Sequence, residues 1–276
     1  MFMAGKRFEK KKQRRKGGNV LLNLLIVLCI GVMLFCGYKL VTSYLEYKVG
    51  DDAYASITAG AVKKKQAVSP NSGENSASSG DSEQDTDEPL DVDFSVLSAM
   101  NADVAAWIYS ADTVIDYPVV QGSDNVYYLD HIFDGTYNKL GTLFVDCRNA
   151  PGFSDWNTII YGHNMNNGSM FASLTNYTKQ AYYEAHPEMF LVTPDGTFRL
   201  ELFSGYVTPS DSDAYTFSFA DASAFSEFLE NIRARSDFDS SVPVEVSDRI
   251  VTLSTCTYDF EDARYVVHGK LVPVAD

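Results

Sequence analysis

From Val20 to Tyr38 the chain runs nineteen residues without a charged side chain, most of them Leu, Ile, Val, Met or Phe. As a helix rising 1.5 Å per residue, such a run is roughly 28 Å long, close to the hydrocarbon thickness of a bilayer. Eight basic residues (Lys6, Arg7, Lys10, Lys11, Lys12, Arg14, Arg15 and Lys16) and a single acid, Glu9, precede it, giving Met1 to Asn19 a local charge of +7. Basic residues beside an apolar run hold that end in the cytoplasm. The pattern therefore predicts a basic cytosolic tail over 1–19, one membrane-spanning anchor over 20–38, and the rest of the chain outside the cell membrane, a single-pass type II topology. A cleaved signal peptide is the competing reading. Its apolar core is shorter, about 7–15 residues, and a small-x-small site follows it; Tyr38-Lys39-Leu40-Val41-Thr42 offers none.

The topology divides the charge. The whole chain carries −15, so residues 20–276 carry −22. An outer part this acidic lacks the basic face that phosphate recognition needs, which argues against a nucleic-acid partner. Residues 39–68 read as a mixed, weakly amphipathic juxtamembrane segment. Ser69 to Glu88 contains no large apolar residue and cannot bury enough surface to offset chain entropy. Residues 39–89 are therefore expected to be a juxtamembrane segment and a disordered linker. About 40 residues of such chain would give a reach of roughly 35 Å.

Residues 90–276 are long enough for one sizeable core. Val92 to Ser110 reads as one or two short helices, with Phe94, Leu97, Val104, Trp107 and Ile108 on apolar faces. Eight β-like runs follow, at 113–121, 141–147, 157–163, 188–193, 197–207, 242–246, 249–256 and 263–272. Pro194-Asp195-Gly196 marks a hairpin between two of them. Met170 to Ala185 holds a short helix or two. Ala222 to Arg235 is a clearer helix, with Phe225, Phe228, Leu229 and Ile232 at helical spacing and Asp221 or Ser223 able to cap it. Eight short strands with few helices favour a closed β-barrel over a parallel α/β sheet.

Outside the apolar run, which holds Cys29 and Cys36, only Cys147 and Cys256 remain. In an oxidising compartment a disulfide between them is the simplest account. The alternative is a nucleophile, and a thiol of pKa about 8.5 is only ~3% thiolate at pH 7 without a cation or donors nearby. Cys256 ends the run Thr252-Leu253-Ser254-Thr255-Cys256, and Arg264 opens the next strand, so a short hairpin would bring the two alongside. Cys147 has Arg148 beside it but no comparable arrangement. No set of His, Cys, Asp and Glu shows metal-ligand spacing, so neither a metal nor a cofactor is expected.

Thr252-Leu253-Ser254-Thr255-Cys256 followed by Arg264 resembles the TLxTC…R signature of sortases, the cell-wall transpeptidases of Gram-positive bacteria. Ile159-Ile160-Tyr161-Gly162-His163-Asn164-Met165 resembles their catalytic-His segment. The opening helices and the helix inserted between late strands are similar to class B, and the likeness covers roughly residues 92–273. It implies an eight-stranded sortase barrel, with Cys256 as nucleophile, His163 as general acid and base, and Arg264 as oxyanion and substrate clamp. It also implies that the backbone N–H of Thr257 is a second oxyanion donor, that Ser254 lines the peptide groove with Tyr215 as a further groove candidate, and that Cys147 takes no part.

Among the other histidines, His131 and His186 read as surface residues. His268 is the serious rival to His163, because it shares a strand face with Arg264. For Arg264, a salt bridge to Asp259, Glu261 or Asp262 is the competing role. The partners implied are C-terminal sorting-signal peptides of surface proteins, with an NPxTx- or PxTG-like pentapeptide, and peptidoglycan or its lipid-linked precursor as the amine acceptor. Two other functions fit the same residues: a cysteine peptidase or peptidoglycan hydrolase with water as acceptor, and a non-catalytic surface module.

Overall fold

The computed structural model describes residues 16–65 and 90–274; the basic tail up to Arg15 and the Ser-rich stretch 69–88 lie outside them. The chain divides into two compact units, 1–46 and 47–276. The first holds most of helix α1 (Lys16–Ala61), the one helix among the described residues long and apolar enough to cross a membrane. Its large apolar side chains from Leu22 to Leu45 are exposed, as they must be if lipid is to cover them.

The second unit takes in the last turns of α1, where Tyr54, Ile57 and Ala61 are buried in the main core. The expected start of the folded domain at residue 90 thus differs from the compact unit, which reaches back to Tyr47. Tyr54, Ile57 and Ala61 recur at i, i+3, i+7, an apolar stripe that the mixed composition of 39–68 conceals. Strand β1 (Val62–Lys64) follows and pairs antiparallel with β2 (Leu90–Val92), Lys64 facing Leu90.

Helix α2 (Phe94–Met100) starts at Asp93, whose Oδ1 accepts from the N–H groups of Ser95 at 2.9 Å and Val96 at 3.2 Å. The expected second helix in this stretch is instead a strand, β3 (Val104–Tyr109). It lies between β4 (Asp116–Val120) and β7 (Glu188–Thr193). With Ala106, Trp107 and Ile108 all buried, β3 lacks the alternation that marks a half-exposed strand, and its apolar spacing mimics a helix.

Strands β5 (Leu143–Val145), β6 (Asn157–Tyr161), β8 (Gly196–Pro209), β9 (Ile250–Cys256) and β10 (Ala263–Pro273) complete a closed eight-stranded barrel in the order β10-β8-β7-β3-β4-β5-β6-β9. Pro194 and Asp195 turn β7 into β8. Residues 242–246, expected as a strand, are not one. Pro243 removes a ladder donor, and side chains take the carbonyls there: Arg233 Nη2 donates to Val242 at 2.7 Å and Lys270 Nζ to Pro243 at 3.1 Å.

Helices α3 (Gln180–Ala185) and α4 (Ala222–Ala234) lie between strands. The α4 N-cap is Asp221, whose carboxylate accepts from the Ala224 N–H at 3.0 Å. Phe225, Phe228, Leu229 and Ile232 pack with Phe203, Ile250 and Val266 into a second core, separate from the main core that holds Trp107, Leu253 and Val267. At about 1.5–3 kcal/mol per buried side chain, those four α4 residues supply at most roughly 6–12 kcal/mol. The inserted helix is thereby a fixed cover on one side of the barrel.

Candidate active site

Register brings three strand ends together. β10 runs antiparallel to β9 with Arg264 opposite Cys256. β6 runs parallel to β9 with Tyr161 beside Ser254, and the ladder continues as the Gly162 N–H donates to the Ser254 carbonyl at 3.0 Å. Two residues further on each chain stand His163 and Cys256. Neighbouring strands lie about 5 Å apart, and residues separated by two share a face. His163, Cys256 and Arg264 therefore project from adjacent strand ends toward one side, and all three line a single cleft of about 270 Å³.

The segment that carries His163 is tied down on both sides. Thr255 Oγ1 donates to the Gly162 carbonyl at 2.8 Å, and the Phe171 N–H donates to the His163 carbonyl at 2.9 Å. The His163 Nε2 lies 2.6 Å from the Leu129 carbonyl oxygen. A carbonyl only accepts, so Nε2 carries a proton and Nδ1 is the ring's basic atom. Asn164 Nδ2 donates to the Cys256 carbonyl at 2.8 Å, linking the His163 segment to β9. Neither Leu129 nor Asn164 was marked as functional by its residue type; Asn164 sits in the quoted histidine segment, whereas a backbone carbonyl leaves no mark in a sequence.

Cys147 and Cys256 are both free and half-buried, so the disulfide account fails. Among the described residues Arg264 forms no ion pair with Asp259, Glu261 or Asp262, all exposed; its Nη1 donates to the Ala263 carbonyl at 3.0 Å. Thr257 departs from expectation. Its N–H donates to the Ala263 carbonyl at 3.1 Å, closing the β9–β10 turn, so this donor is engaged and not free to meet an oxyanion. Ser254 and Tyr215 do come together, their hydroxyl oxygens 2.9 Å apart in the cleft. Burial pushes the Tyr215 phenol up, so it stays protonated and able to donate. Its ring stacks on Tyr161 with centroids 6.0 Å apart, and Phe144 packs on Tyr161 at 5.3 Å, giving the cleft an aromatic floor.

That floor rests on a buried carboxylate. Burial alone would raise Asp146, but hydrogen bonds from Arg148, Asn125 and Tyr161 outweigh it and hold the group well below the usual carboxylate range. Arg148 meets Asp146 through two bonds of 2.9 and 2.6 Å.

The other histidines stand elsewhere. His131 stacks on Tyr127 and lies 2.7 Å from Asp130. His186 ends α3, half-buried, against Tyr182. His268 shares the outward face with Arg264 but is fully buried near Phe203, Tyr206 and Phe228. Burial drives its ring down to about 3, so it is neutral. Its Nδ1 lies 2.9 Å from Thr252 Oγ1, which donates to Asn157 Oδ1 at 2.8 Å; Asn157 Nδ2 in turn donates to the Thr216 carbonyl at 2.9 Å. A charge-neutral ring bonded to a hydroxyl, out of reach of the cleft, cannot serve as its base.

Residues 108–272 match the family model for the sortase domain. Over 90% of its length this chain is 36% identical to sortase B of Listeria monocytogenes, of which 95% is covered. A solved Staphylococcus aureus sortase B–substrate complex superposes with a TM-score of 0.63 at 35% identity, over 66% of this chain and 85% of that one. The crystal structure of sortase B from B. anthracis in complex with AAEK1 gives 0.68 at 29% identity, over 83% of this chain and 99% of that one.

Proposed function

Because the chain belongs to the sortase family and to its class B, we propose that its sortase B-like transpeptidase chemistry joins surface proteins to peptidoglycan, with Cys256, His163 and Arg264 as the catalytic residues. The observation that carries this reading is the alignment of those three residues on adjacent strand ends over one cleft. The Cys256 thiolate attacks the carbonyl of the Thr in a C-terminal sorting pentapeptide. Arg264 presents a fixed fork of donors with no removable proton near neutrality, so it stabilises the oxyanion without entering the proton transfers. The Thr257 N–H can join it only once the bond to Ala263 opens. His163 protonates the departing amine, and a thioacyl enzyme remains. An amine of peptidoglycan or its lipid-linked precursor then attacks the thioester while His163 accepts its proton. Ser254 and Tyr215 line the wall against which the peptide lies. The anchor sets the N-terminus inside the cell and the cleft outside, facing the wall.

The test is partition of the acyl group. The full chain in detergent micelles is given a sorting-motif peptide with and without oligoglycine or a diaminopimelate-type amine. Amine-dependent turnover with the amine found in the product is expected. Turnover to the free acid alone, at a rate indifferent to amine, would make the protein a peptidase.

A further inference from the structure

The last turns of α1 do more than fill the core, for they are keyed to the segment that holds His163. That segment runs from Tyr127 to Thr142 and supplies the Leu129 carbonyl to which His163 Nε2 donates. Tyr54, on α1, donates its hydroxyl to the Gly141 carbonyl at 2.5 Å, with Thr142 Oγ1 at 3.1 Å. Gly141 in turn lies against the acceptor itself: a Cβ added there would stand 2.5 Å from the Tyr128 carbonyl oxygen and 2.7 Å from that of Leu129. The segment is closed on itself by the Thr142 N–H, which donates to Tyr128 at 2.9 Å, and by Thr142 Oγ1, which donates to His131 at 2.9 Å. One turn before Tyr54, the helix backbone approaches equally closely. A Cβ on Gly50 would meet Leu140 Cδ2 at 2.8 Å and the Asn138 amide at 3.3 Å. Tyr54 is thus hydrogen-bonded to Gly141, Gly141 lies too close to the Leu129 carbonyl for a side chain to fit between them, and that carbonyl meets the imidazole.

We propose that Tyr54 is a positioning residue for His163, acting through Gly141 and the Leu129 carbonyl, so that the helix leading out of the membrane sets the tautomer and orientation of the base. The proposal rests on the reading of His163 as the general base. Its physical content is that the Leu129 oxygen selects the Nε2–H tautomer and leaves Nδ1 to exchange protons. Loss of the Tyr54 bond releases Gly141, lets the Leu129 carbonyl shift, and allows the second tautomer to be populated.

The experiment compares the full chain with Tyr54→Phe, both in detergent micelles. The chain has only four histidines, so ¹⁵N spectra of labelled protein resolve the ring tautomer of each. His163 is expected as the Nε2–H tautomer in the parent and as a mixture in Tyr54→Phe, with His268 unchanged. With a sorting-motif peptide, kcat is expected to fall about fivefold while KM stays within about twofold, the loss of one ordinary hydrogen bond acting on the base alone. Should Tyr54→Phe fail to fold, Gly50→Ala presses on Leu140 and Asn138 of the same 127–142 segment from the helix side and is read the same way. An unchanged His163 tautomer overturns the proposal, including the case in which kcat and KM both worsen along with thermal stability, since that is a purely structural role. If the parent turns over no sorting peptide, the proposed function fails, while the tautomer comparison still decides this inference.

Discussion

The β9–β10 ladder presents one outward face twice, with opposite results. At its open end stand Cys256 and Arg264, opposite each other, with Ser254 two residues inward. At its other end stand Thr252 and His268, also opposite each other and on the same face by alternation, but fully buried. The two ends differ in what lies over them: a cleft at one, α4 and its aromatic side chains at the other. Period-two alternation chooses a face, and the cover then decides whether a polar side chain there becomes reactive or is neutralised and bonded. What sets His268 apart from His163 is cover, which no strand pattern contains.

The sharpest way to break this comparison is at the open end. Cys256→Ala is expected to abolish thioacyl formation, a loss of more than about 10⁴ in rate, with thermal stability unchanged, as mass spectrometry after incubation with a sorting peptide would show. Thioacylation surviving in Cys256→Ala but lost in Cys147→Ala would move the nucleophile to the wrong thiol. Next in size is Arg264→Lys. It keeps the charge and removes the fork, and kcat/KM should drop on the order of 10²–10³-fold, about 3–4 kcal/mol. Activity within a few-fold of the parent would show that a point charge suffices there.

The covered end is read through acid. His268 takes up a proton near 6.5 when unfolded and only at about 3 when folded, so between those values the unfolded chain binds more protons. Its contribution to stability is intact above pH 6.5 and is lost progressively as pH falls below it, by about 1.4 kcal/mol per pH unit. His268→Leu should therefore flatten the dependence of unfolding free energy on pH between about pH 6 and pH 4 by that slope. Parallel curves for parent and variant would mean that the ring is not sealed. The smallest effect tests the cover itself: Asp221→Ala removes the α4 cap and should cost about 1 kcal/mol in denaturant unfolding, with kcat untouched. A larger loss confined to kcat would mean that α4 bears on the cleft as well as on His268.

Much of this architecture was legible in the sequence, for identifiable reasons. The β9 and β10 runs, the Pro194-Asp195 turn and the α4 stripe each carry a strong local pattern, and the short gap between Cys256 and Arg264 allowed only a hairpin. Where local pattern and environment part company, the reading fails. β3 is covered on both faces and imitates a helix, whereas Val242 to Val246 alternates like a strand but gives its carbonyls to Arg233 and Lys270. The same holds in the site. The motif resemblance pointed to Cys256, His163 and Arg264, yet the Thr257 N–H is taken up inside the local β9–β10 turn, and the Leu129 and Gly141 carbonyls meet His163 and Tyr54 only through packing between segments far apart in the chain.

The pairing of β1 with β2 has a geometric consequence. Lys64 and Leu90 are cross-strand partners, so chain that departs at one returns at the other. However long its contour, everything between them yields a net displacement of one interstrand spacing, about 5 Å. The β1–β2 pairing, and not the reach of a linker, therefore sets how far α2 begins from the last turn of α1.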